Sequence, residues 1–381
     1  MSDLSLQLQQ ASGQPPVSSY FDEALYRREL ETIFRQGPRY VGHALSVPNQ
    51  GDYATLAQEG EGRALVRTAN GVELVSNVCR HRQAVMLRGR GSLNNVHPGA
   101  AAGNIVCPLH RWTYSGHASS ASAPLGRLLG APHFEADPCL HLNDYKLREW
   151  NGLLFEDNGR DIDADLAHMG SRAGLDFSGF VLDRVQLHEC NYNWKTFIEV
   201  YLEDYHVVPF HPGLGSVVTC DDLRWEFKES YSVQTVGAVR PPKPAGTPVY
   251  QRWQNALQAY SRGKPSKYGA IWLTYYPHIM LEWYPHVLTV STLHPQGVSK
   301  TLNMVEFYYP EEIQAFEREF VEAQQAAYME TCLEDDEIGE RMDAGRRALW
   351  QRGDVESGPY QSPMEDGMQH FHEWYRRQLQ L

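Results

Sequence analysis

The sequence lacks the features that mark several other classes of protein. No apolar run approaches the ~20 residues that a membrane-spanning helix needs, and residues 1–19 show neither the basic start nor the apolar stretch of a signal peptide. The formal net charge of −13 argues against non-specific nucleic-acid binding, which needs a basic surface. The 6 cysteines are scattered rather than arranged as a disulfide framework. These absences predict a cytoplasmic protein without membrane or nucleic-acid partners, whose cysteines are reduced, buried or metal-bound.

Length and hydrophobic pattern predict two domains and an α+β fold class. At ~150 residues per domain, a chain of 381 residues is long enough for about two. Residues 38–157 hold short strand-like runs separated by Gly and Pro, with a hairpin signal at Asn70-Gly71, and predict a small all-β domain. Residues 158–381 predict an antiparallel sheet covered by helices. Residues 1–37 are predicted to form a tail and a helix that packs on this second domain.

The second domain is expected to contain enough strands for one antiparallel sheet. Strands are predicted at 181–190, 223–236, 271–284, 286–295 and 300–310. Helices are predicted at 20–36, 193–206, 249–261 and, with one or two breaks, 310–352.

Two short segments of the first domain each offer one thiol and one imidazole. They read Cys79-Arg80-His81 and Cys107-Pro108-Leu109-His110. A zinc finger commonly pairs two cysteines in one segment and two histidines in the other, although a zinc site remains the alternative here. One cysteine and one histidine per segment suit a two-iron cluster with both cysteines on one iron and both histidines on the other, which raises the reduction potential.

The residues around these ligands carry a resemblance to a known family. The runs VCRHRQAVMLRGRG, IVCPLHRWTYSGHASS and PLGRLLGAPHF resemble the Rieske domain of ring-hydroxylating-type oxygenases. The resemblance implies a [2Fe–2S] cluster held by Cys79, His81, Cys107 and His110. Rieske proteins of respiratory complexes differ, because they carry a further cysteine in each segment and a membrane anchor.

A second segment, residues 193–211, resembles the catalytic-domain signature of the same oxygenases. His206 and His211 stand five apart, and Pro209 and Pro212 break the helix between and after them, so that both imidazoles can face one metal. A mononuclear Fe(II) site of this type needs one carboxylate as well. The resemblance places it in the acidic run 333–340, where alignment on Ile338 makes Asp335 the ligand, with Asp336 as the alternative.

The resemblance also implies how electrons reach the second iron. In the family, subunits form head-to-tail trimers, and a carboxylate bridges a histidine of the cluster in one subunit and a histidine of the iron in the next. Glu203 and Asp204 compete for this role. On a helix with ~100° per residue, Glu203 lies about 60° from His206 and Asp204 about 160° away, which predicts Glu203. Asn193 is predicted near the iron, with helix capping or packing as an equal alternative.

The implied fold is a Rieske domain followed by a helix-grip catalytic domain of the START/Bet v 1 type. The implied activity is that of an oxygenase component. A flavin/[2Fe–2S] reductase or a ferredoxin passes NAD(P)H-derived electrons to the cluster and on to the iron, and O₂ is used to hydroxylate, N-demethylate or cleave a small organic substrate. A Rieske electron-transfer protein without oxygenase activity, or a ligand-binding protein with a decayed site, is the alternative from another class.

The substrate stays open at this level. Glu at position 203, where most relatives have Asp, is similar to the branch that acts on quaternary ammonium compounds such as carnitine, glycine betaine and stachydrine. Such a substrate would need an aromatic cage. Cage candidates, for which core packing is the alternative, are Trp272, Tyr275, Tyr276, Trp283 and Tyr284. Ring hydroxylation or O-demethylation in the catabolism of aromatic compounds is the other possibility.

Overall fold

The computed structural model describes residues 13–95, 103–116, 124–131, 133–134, 137–240 and 243–379. These residues fall into two compact units, one drawn from Met1–Gly37 and Asp163–Leu381 and the other from Pro38–Ile162. Most of the predicted N-terminal tail lies outside the described residues. Among the helices that are described, none combines the length and the apolar character required to cross a bilayer.

The described residues of the unit drawn from Pro38–Ile162 form three antiparallel sheets. Their orders are β1-β11-β10, β5-β2-β3-β4-β9 and β6-β7-β8. The strands are β1 (Tyr40–His43), β2 (Asp52–Thr55), β3 (Arg63–Thr68), β4 (Gly71–Ser76), β5 (Arg90–Ser92), β6 (Ile105–Val106), β7 (Thr113–Tyr114), β8 (Leu128–Gly130), β9 (Asp144–Tyr145), β10 (Leu147–Trp150) and β11 (Leu153–Glu156).

The predicted hairpin is present between β3 and β4, shifted by one residue. Thr68 pairs with Gly71, so the two loop residues are Ala69 and Asn70. Gly71 begins the second strand with φ +119°, a value that glycine adopts without strain. The hairpin leads directly toward the first cysteine segment, because Cys79 follows β4 by only a few residues.

The other unit is built on one seven-stranded antiparallel sheet. Its order is β12-β18-β17-β16-β15-β14-β13, so the first strand pairs with the last and β16 lies at the centre. The strands are β12 (Phe180–Cys190), β13 (Val218–Lys228), β14 (Tyr231–Ala238), β15 (Ala270–Tyr275), β16 (Ile279–Tyr284), β17 (Val287–Gly297) and β18 (Lys300–Pro310). The helices are α1 (Glu23–Glu29), α2 (Ile162–Leu166), α3 (Trp194–Tyr201), α4 (Val207–Phe210), α5 (Pro248–Ser261), α6 (Glu311–Phe316), α7 (Arg318–Arg352) and α8 (Asp366–Gln378).

The α+β fold class is confirmed. The predicted strands 223–236 and 271–284 each prove to be two strands joined by a turn, β13 with β14 and β15 with β16, and one helix prediction needed correction. The predicted helix 193–206 ends at Tyr201, before the histidines. The long helical segment breaks once, at Glu317, in agreement with the one or two predicted breaks, and α7 then runs for 35 residues without interruption. The C-terminal helix α8 was not predicted, although its buried face includes Phe371, Trp374 and Tyr375.

Buried charged groups tie α3 to distant parts of its unit. The Lys195 ammonium lies 2.7 Å from Glu29, and the side chains of both residues are at most 1% exposed. The indole N–H of Trp194 donates to the same carboxylate at 2.9 Å, and the Tyr375 hydroxyl donates to it as well. Because a buried charge is costly unless it is paired, these contacts hold α1, α3 and α8 in one arrangement.

A second buried carboxylate on α3 makes the connection to α7. The Glu199 carboxylate lies 2.6 Å from the Arg346 guanidinium and 2.9 Å from His372 Nε2. Burial acts to raise the pKa of Glu199, but Arg346 and His372 outweigh it and hold that pKa at about 2. Because α3 precedes the two histidines and α7 carries the acidic run, this ion pair fixes the position of the two segments relative to each other.

Removing the charge of Lys195 tests the buried network. Lys195→Met leaves the Glu29 carboxylate buried without its cation, and we expect a loss of roughly 3–5 kcal/mol in the free energy of unfolding. Thermal or denaturant unfolding followed by circular dichroism measures the loss. The exposed pair of Arg252 with Glu319 offers a control, since Glu319→Gln should leave the unfolding midpoint unchanged. Equal midpoints for the two variants would contradict a structural role for the buried pair.

Candidate functional site

The four ligands predicted for the cluster lie together in the all-β unit. Cys79 and Cys107 are each 1% exposed and belong to its hydrophobic core. His81 and His110 lie nearer the surface, with their Nδ1 atoms 3.1 Å apart. Trp112 stacks on the His81 ring at a centroid distance of 4.9 Å. Two buried thiols beside two surface imidazoles fit a two-iron cluster with an inner thiolate end and an outer histidine end.

The surroundings of the two sulfurs combine burial with nearby hydrogen-bonding groups. Burial raises the pKa of Cys107, and backbone N–H groups of Leu109 and His110 act in the opposite direction by hydrogen bonding to its sulfur. The Tyr114 hydroxyl lies 3.5 Å from Cys79 Sγ. Hydrogen bonds to sulfur are one of the means by which a protein adjusts the potential of an iron–sulfur cluster.

The second predicted constellation also converges. After α3 the chain turns, and α4 is bracketed by His206 at its N-cap and His211 at its C-cap. The Asp335 Oδ1 atom, from the middle of α7, lies 3.0 Å from His211 Nε2 and 3.4 Å from His206 Nε2. The donor atoms of these three side chains are close enough to hold one metal ion. Two imidazoles and one carboxylate fit Fe(II) with open positions for O₂.

The Nδ1 atom of each histidine lies beside a carboxylate. The Nδ1 atom of His206 lies 2.5 Å from Glu203 Oε1, and the Nδ1 atom of His211 lies 2.7 Å from Glu334 Oε2. Such contacts orient the ring and leave Nε2 for the metal. Sequence reasoning missed Glu334. The only signal for it was its place beside Asp335 in an acidic run.

Without a metal, these contacts favour the protonated forms of both histidines. Burial acts to lower the pKa of His206, but Asp335 and Glu203 outweigh it and raise that pKa to about 10. The pKa of His211 is raised by the same kind of contact, against the effect of burial. The pKa of Asp335 is lowered by the two histidines although burial acts to raise it. A metal that binds here must therefore displace protons.

The competing acids have different neighbours. Residues 202–206 are not helical, so the rotation argument for Glu203 does not apply there, but Glu203 also accepts the backbone N–H of His206 at 3.1 Å. Asp204 is 2% exposed, and its Oδ2 atom has no hydrogen-bond partner within the described part of the chain. Asp336 lies 2.6 Å from His188 on β12 and accepts from the Tyr192 hydroxyl at 2.9 Å, away from His206 and His211.

The structure does not bring Asn193 to the histidines. Its side-chain oxygen accepts the backbone N–H of Lys195 at 2.9 Å and caps α3, while its amide donates to the backbone oxygens of Tyr20 and Val298 at 3.0 and 2.8 Å. Capping, which the sequence left open as the alternative, is therefore its observed contact.

A cavity adjoins the three converging side chains. Its wall includes His206, His211 and Asp335 together with the buried carboxylate of Glu282. Its aromatic lining includes Tyr201, Tyr250, Trp253, Trp272, Tyr284 and Tyr328. Of the predicted cage residues, Trp272 and Tyr284 line the cavity, whereas Tyr275, Tyr276 and Trp283 are not among its lining residues. The site can therefore hold a small molecule beside the metal position.

Known proteins resemble both parts of the chain. Residues 38–130 match the Rieske [2Fe-2S] domain, and residues 175–381 match the ring hydroxylating alpha subunit (catalytic domain). The putrescine 2-hydroxylase of Ralstonia nicotianae is 65% identical over 379 residues, covering 99% of each chain. That of Bordetella bronchiseptica is 60% identical over 378 residues, covering 96% of this chain and 85% of its own. A quaternary ammonium Rieske monooxygenase solved with L-carnitine has the same fold, with a TM-score of 0.72, 20% identity, and coverage of 99% of this chain and 98% of its own.

Replacing Asp335 tests the metal position. Asp335→Asn removes the anionic ligand, and we expect iron per chain to fall from about three to about two, because the [2Fe–2S] cluster keeps its pair. Iron analysis combined with the visible spectrum of the cluster measures this. Asp336→Asn is the matched control, since that carboxylate contacts His188 and Tyr192. Loss of the third iron from Asp336→Asn but not from Asp335→Asn would reverse the assignment.

The protonation of the histidines in the metal-free protein predicts that the affinity for iron depends on pH. The pKa of His206, about 10, lies above its ordinary value of 6.5, so the protonated form dominates below about pH 10 in the metal-free protein. Since the metal needs the neutral imidazole, the Kd for Fe(II) should fall by about tenfold per pH unit for each proton displaced. Anaerobic Fe(II) titration at pH 6.5, 7.5 and 8.5 measures the slope. A Kd that does not change with pH would show that the histidines are already neutral.

Proposed function

This chain belongs to the Rieske oxygenases, with a Rieske [2Fe-2S] domain and a ring hydroxylating alpha-subunit catalytic domain, and we propose that it hydroxylates a small aliphatic diamine such as putrescine. The family resemblance is thereby confirmed, and the chain is an oxidoreductase that receives electrons from a partner reductase or ferredoxin. The observation that carries the substrate proposal is the 65% identity, over 99% of both chains, to a putrescine 2-hydroxylase.

We assign the cofactor ligands to the two constellations. Cys79, Cys107, His81 and His110 would hold the [2Fe–2S] cluster, which supplies electrons one at a time. His206, His211 and Asp335 would hold the mononuclear iron, which supplies O₂ activation when bound. The support for the second set is the distance of 3.0–3.4 Å from Asp335 Oδ1 to the two Nε2 atoms. A Rieske electron carrier without oxygenase activity would not need this second set.

Glu203 is the proposed contact for electron entry from a neighbouring subunit. It orients His206, and beside it Tyr205 and Val208 are 59% and 61% exposed. Near the cluster ligands, Leu109 is 57% exposed. Exposed apolar residues next to both sets of histidines fit an interface that forms when subunits assemble. We therefore propose a head-to-tail homotrimer in which Glu203 reaches a cluster histidine of the next subunit.

The proposed reaction is a monooxygenation. One O₂, two electrons and two protons are consumed, one oxygen atom enters a C–H bond as a hydroxyl group, and the other leaves as water. The protein contributes a cavity with an aromatic lining and a buried carboxylate, which suits a cationic aliphatic substrate better than a neutral aromatic ring. A role in aromatic compound catabolism has no comparable support. The sequence expectation of a quaternary amine, based on Glu203, is replaced by the proposal of a primary diamine.

The domain division and the location remain proposals of the same kind. We propose that residues 38–157 form the cluster domain, that residues 158–381 form the catalytic domain, and that residues 1–37 pack on the latter. The contacts of Tyr20 with Glu199 and of Glu29 with Lys195 support the last point. A cytoplasmic location remains the prediction from the sequence.

Activity with putrescine tests the proposal. With its reductase, NADH and O₂, the iron-loaded enzyme should form hydroxylated putrescine in a 1:1 ratio with the O₂ consumed. Glu203→Gln, compared at equal iron content per chain, should lower this turnover by roughly 10–100-fold while the reductase still reduces the cluster at the wild-type rate, because Glu203 does not contact the cluster ligands of its own chain in the described residues. Glu337→Gln, an exposed variant on α7, serves as the control. Unchanged turnover in Glu203→Gln would rule out the proposed electron contact.

A further inference from the structure

The buried carboxylate of Glu282 is not explained by the fold or by the metal ligands. It lies on β16, the central strand of the sheet, and is 2% exposed. Central strands of a sheet are normally filled with apolar side chains, because a buried carboxylate is costly. Its side chain lines the cavity that also contains Asp335. Glu203 and Asp204 line the same cavity, so Glu282 adds to a wall that is already acidic.

Hydroxyl groups hold the Glu282 carboxylate in place. The Tyr328 hydroxyl donates to Oε1 at 2.7 Å, and the Tyr284 hydroxyl donates to Oε2 at 2.8 Å. The Trp272 indole N–H in turn donates to the Tyr284 hydroxyl at 3.0 Å. An ionised carboxylate has about four acceptor positions, and these hydroxyls with that of Thr289 fill at most three. The carboxylate is oriented and retains room for a further donor.

Within the residues that the structure describes, no internal cation accompanies this group, in contrast to the buried carboxylates of Glu29 and Glu199. Glu29 is paired with Lys195 and Glu199 with Arg346. Within the described part of the chain, Glu282 has no ion-pair partner, and the cavity wall contains neither Lys nor Arg. Burial, and to a smaller extent Asp335, raises the pKa of Glu282 to about 7, although the hydroxyl groups act to lower it. The missing partner is a cation.

We propose that Glu282 binds a primary ammonium group of the substrate and thereby selects an aliphatic diamine over a quaternary amine. A primary ammonium brings three N–H donors to the free acceptor position, whereas a quaternary ammonium brings none and would leave the carboxylate unsatisfied. Trp272, Tyr284 and Tyr328 line the same cavity, and aromatic rings attract a cation that lies over their faces. The inference rests on the proposed function, because it names the residue that recognises the substrate at the same site.

The test is Glu282→Gln in the enzyme loaded with cluster and iron. The amide keeps the size and the acceptor oxygen for one tyrosine but removes the charge. We expect KM for putrescine, and Kd by isothermal titration of the same protein, to rise on the order of 10²-fold or more. The preference for putrescine over choline should collapse with it. Iron content and the spectrum of the cluster should remain those of the wild type.

The matched control is Glu306→Gln. Glu306 is 3% exposed in β18 of the same sheet and accepts from the Tyr308 hydroxyl at 3.1 Å, but it does not line the cavity. This variant should bind putrescine as the wild type does. If Glu282→Gln fails to fold, Tyr328→Phe keeps the charge and removes one donor, and KM should then rise roughly tenfold.

The outcomes separate the two levels of the proposal. If the wild type hydroxylates putrescine and Glu282→Gln binds it with unchanged Kd, Glu282 is not the ammonium site, and the proposed function stands. If the reductase reduces the cluster but the wild type forms no product from putrescine or a homologous diamine, the proposed function itself is overturned. A large rise in Kd confined to Glu282→Gln, with Glu306→Gln unaffected, supports the inference.

Discussion

The structure depends on the burial of charged side chains around α3. An ionised group inside a protein is tolerated only when another group neutralises it, and Glu29 with Lys195 and Glu199 with Arg346 meet this condition across segments that are far apart in the chain. The pairs leave little freedom in how α1, α3 and α7 pack. Because α3 leads into His206 and α7 carries Asp335, the same constraint holds the side chains of the proposed metal site within reach of one another.

Three successive acidic residues of helix α7 make different contacts. Glu334, Asp335 and Asp336 differ by about 100° in direction around the helix axis, and each makes a different set of contacts. Glu334 orients His211, Asp335 approaches the Nε2 atoms of both histidines, and Asp336 contacts His188 on β12. Rotation of the helix by one residue would replace one function with another. The 35 uninterrupted residues of α7 fix this rotation along its whole length.

Three buried carboxylates of the catalytic unit differ in what neutralises them. Glu29 and Glu199 have internal cations and stabilise the fold. Glu282 has hydroxyl donors and lies in the wall of the cavity. A fully paired carboxylate resists change, whereas one that lacks a cation gains stability when a cationic ligand binds. Binding in this protein is thus tied to a charge that the fold leaves unbalanced.

The sequence by itself determined the features that depend on neighbouring residues. The cysteine and histidine pairs, the spacing of His206 and His211, and the strands of both units were readable because each is a local pattern. Tertiary structure decided the rest. It ended α3 before the histidines, gave Asn193 a capping role, added helix α8, and brought Glu334 and Glu282 to the site. These outcomes depend on which distant groups neutralise or hydrogen-bond one another once water is excluded, and local periodicity carries no information about such partners.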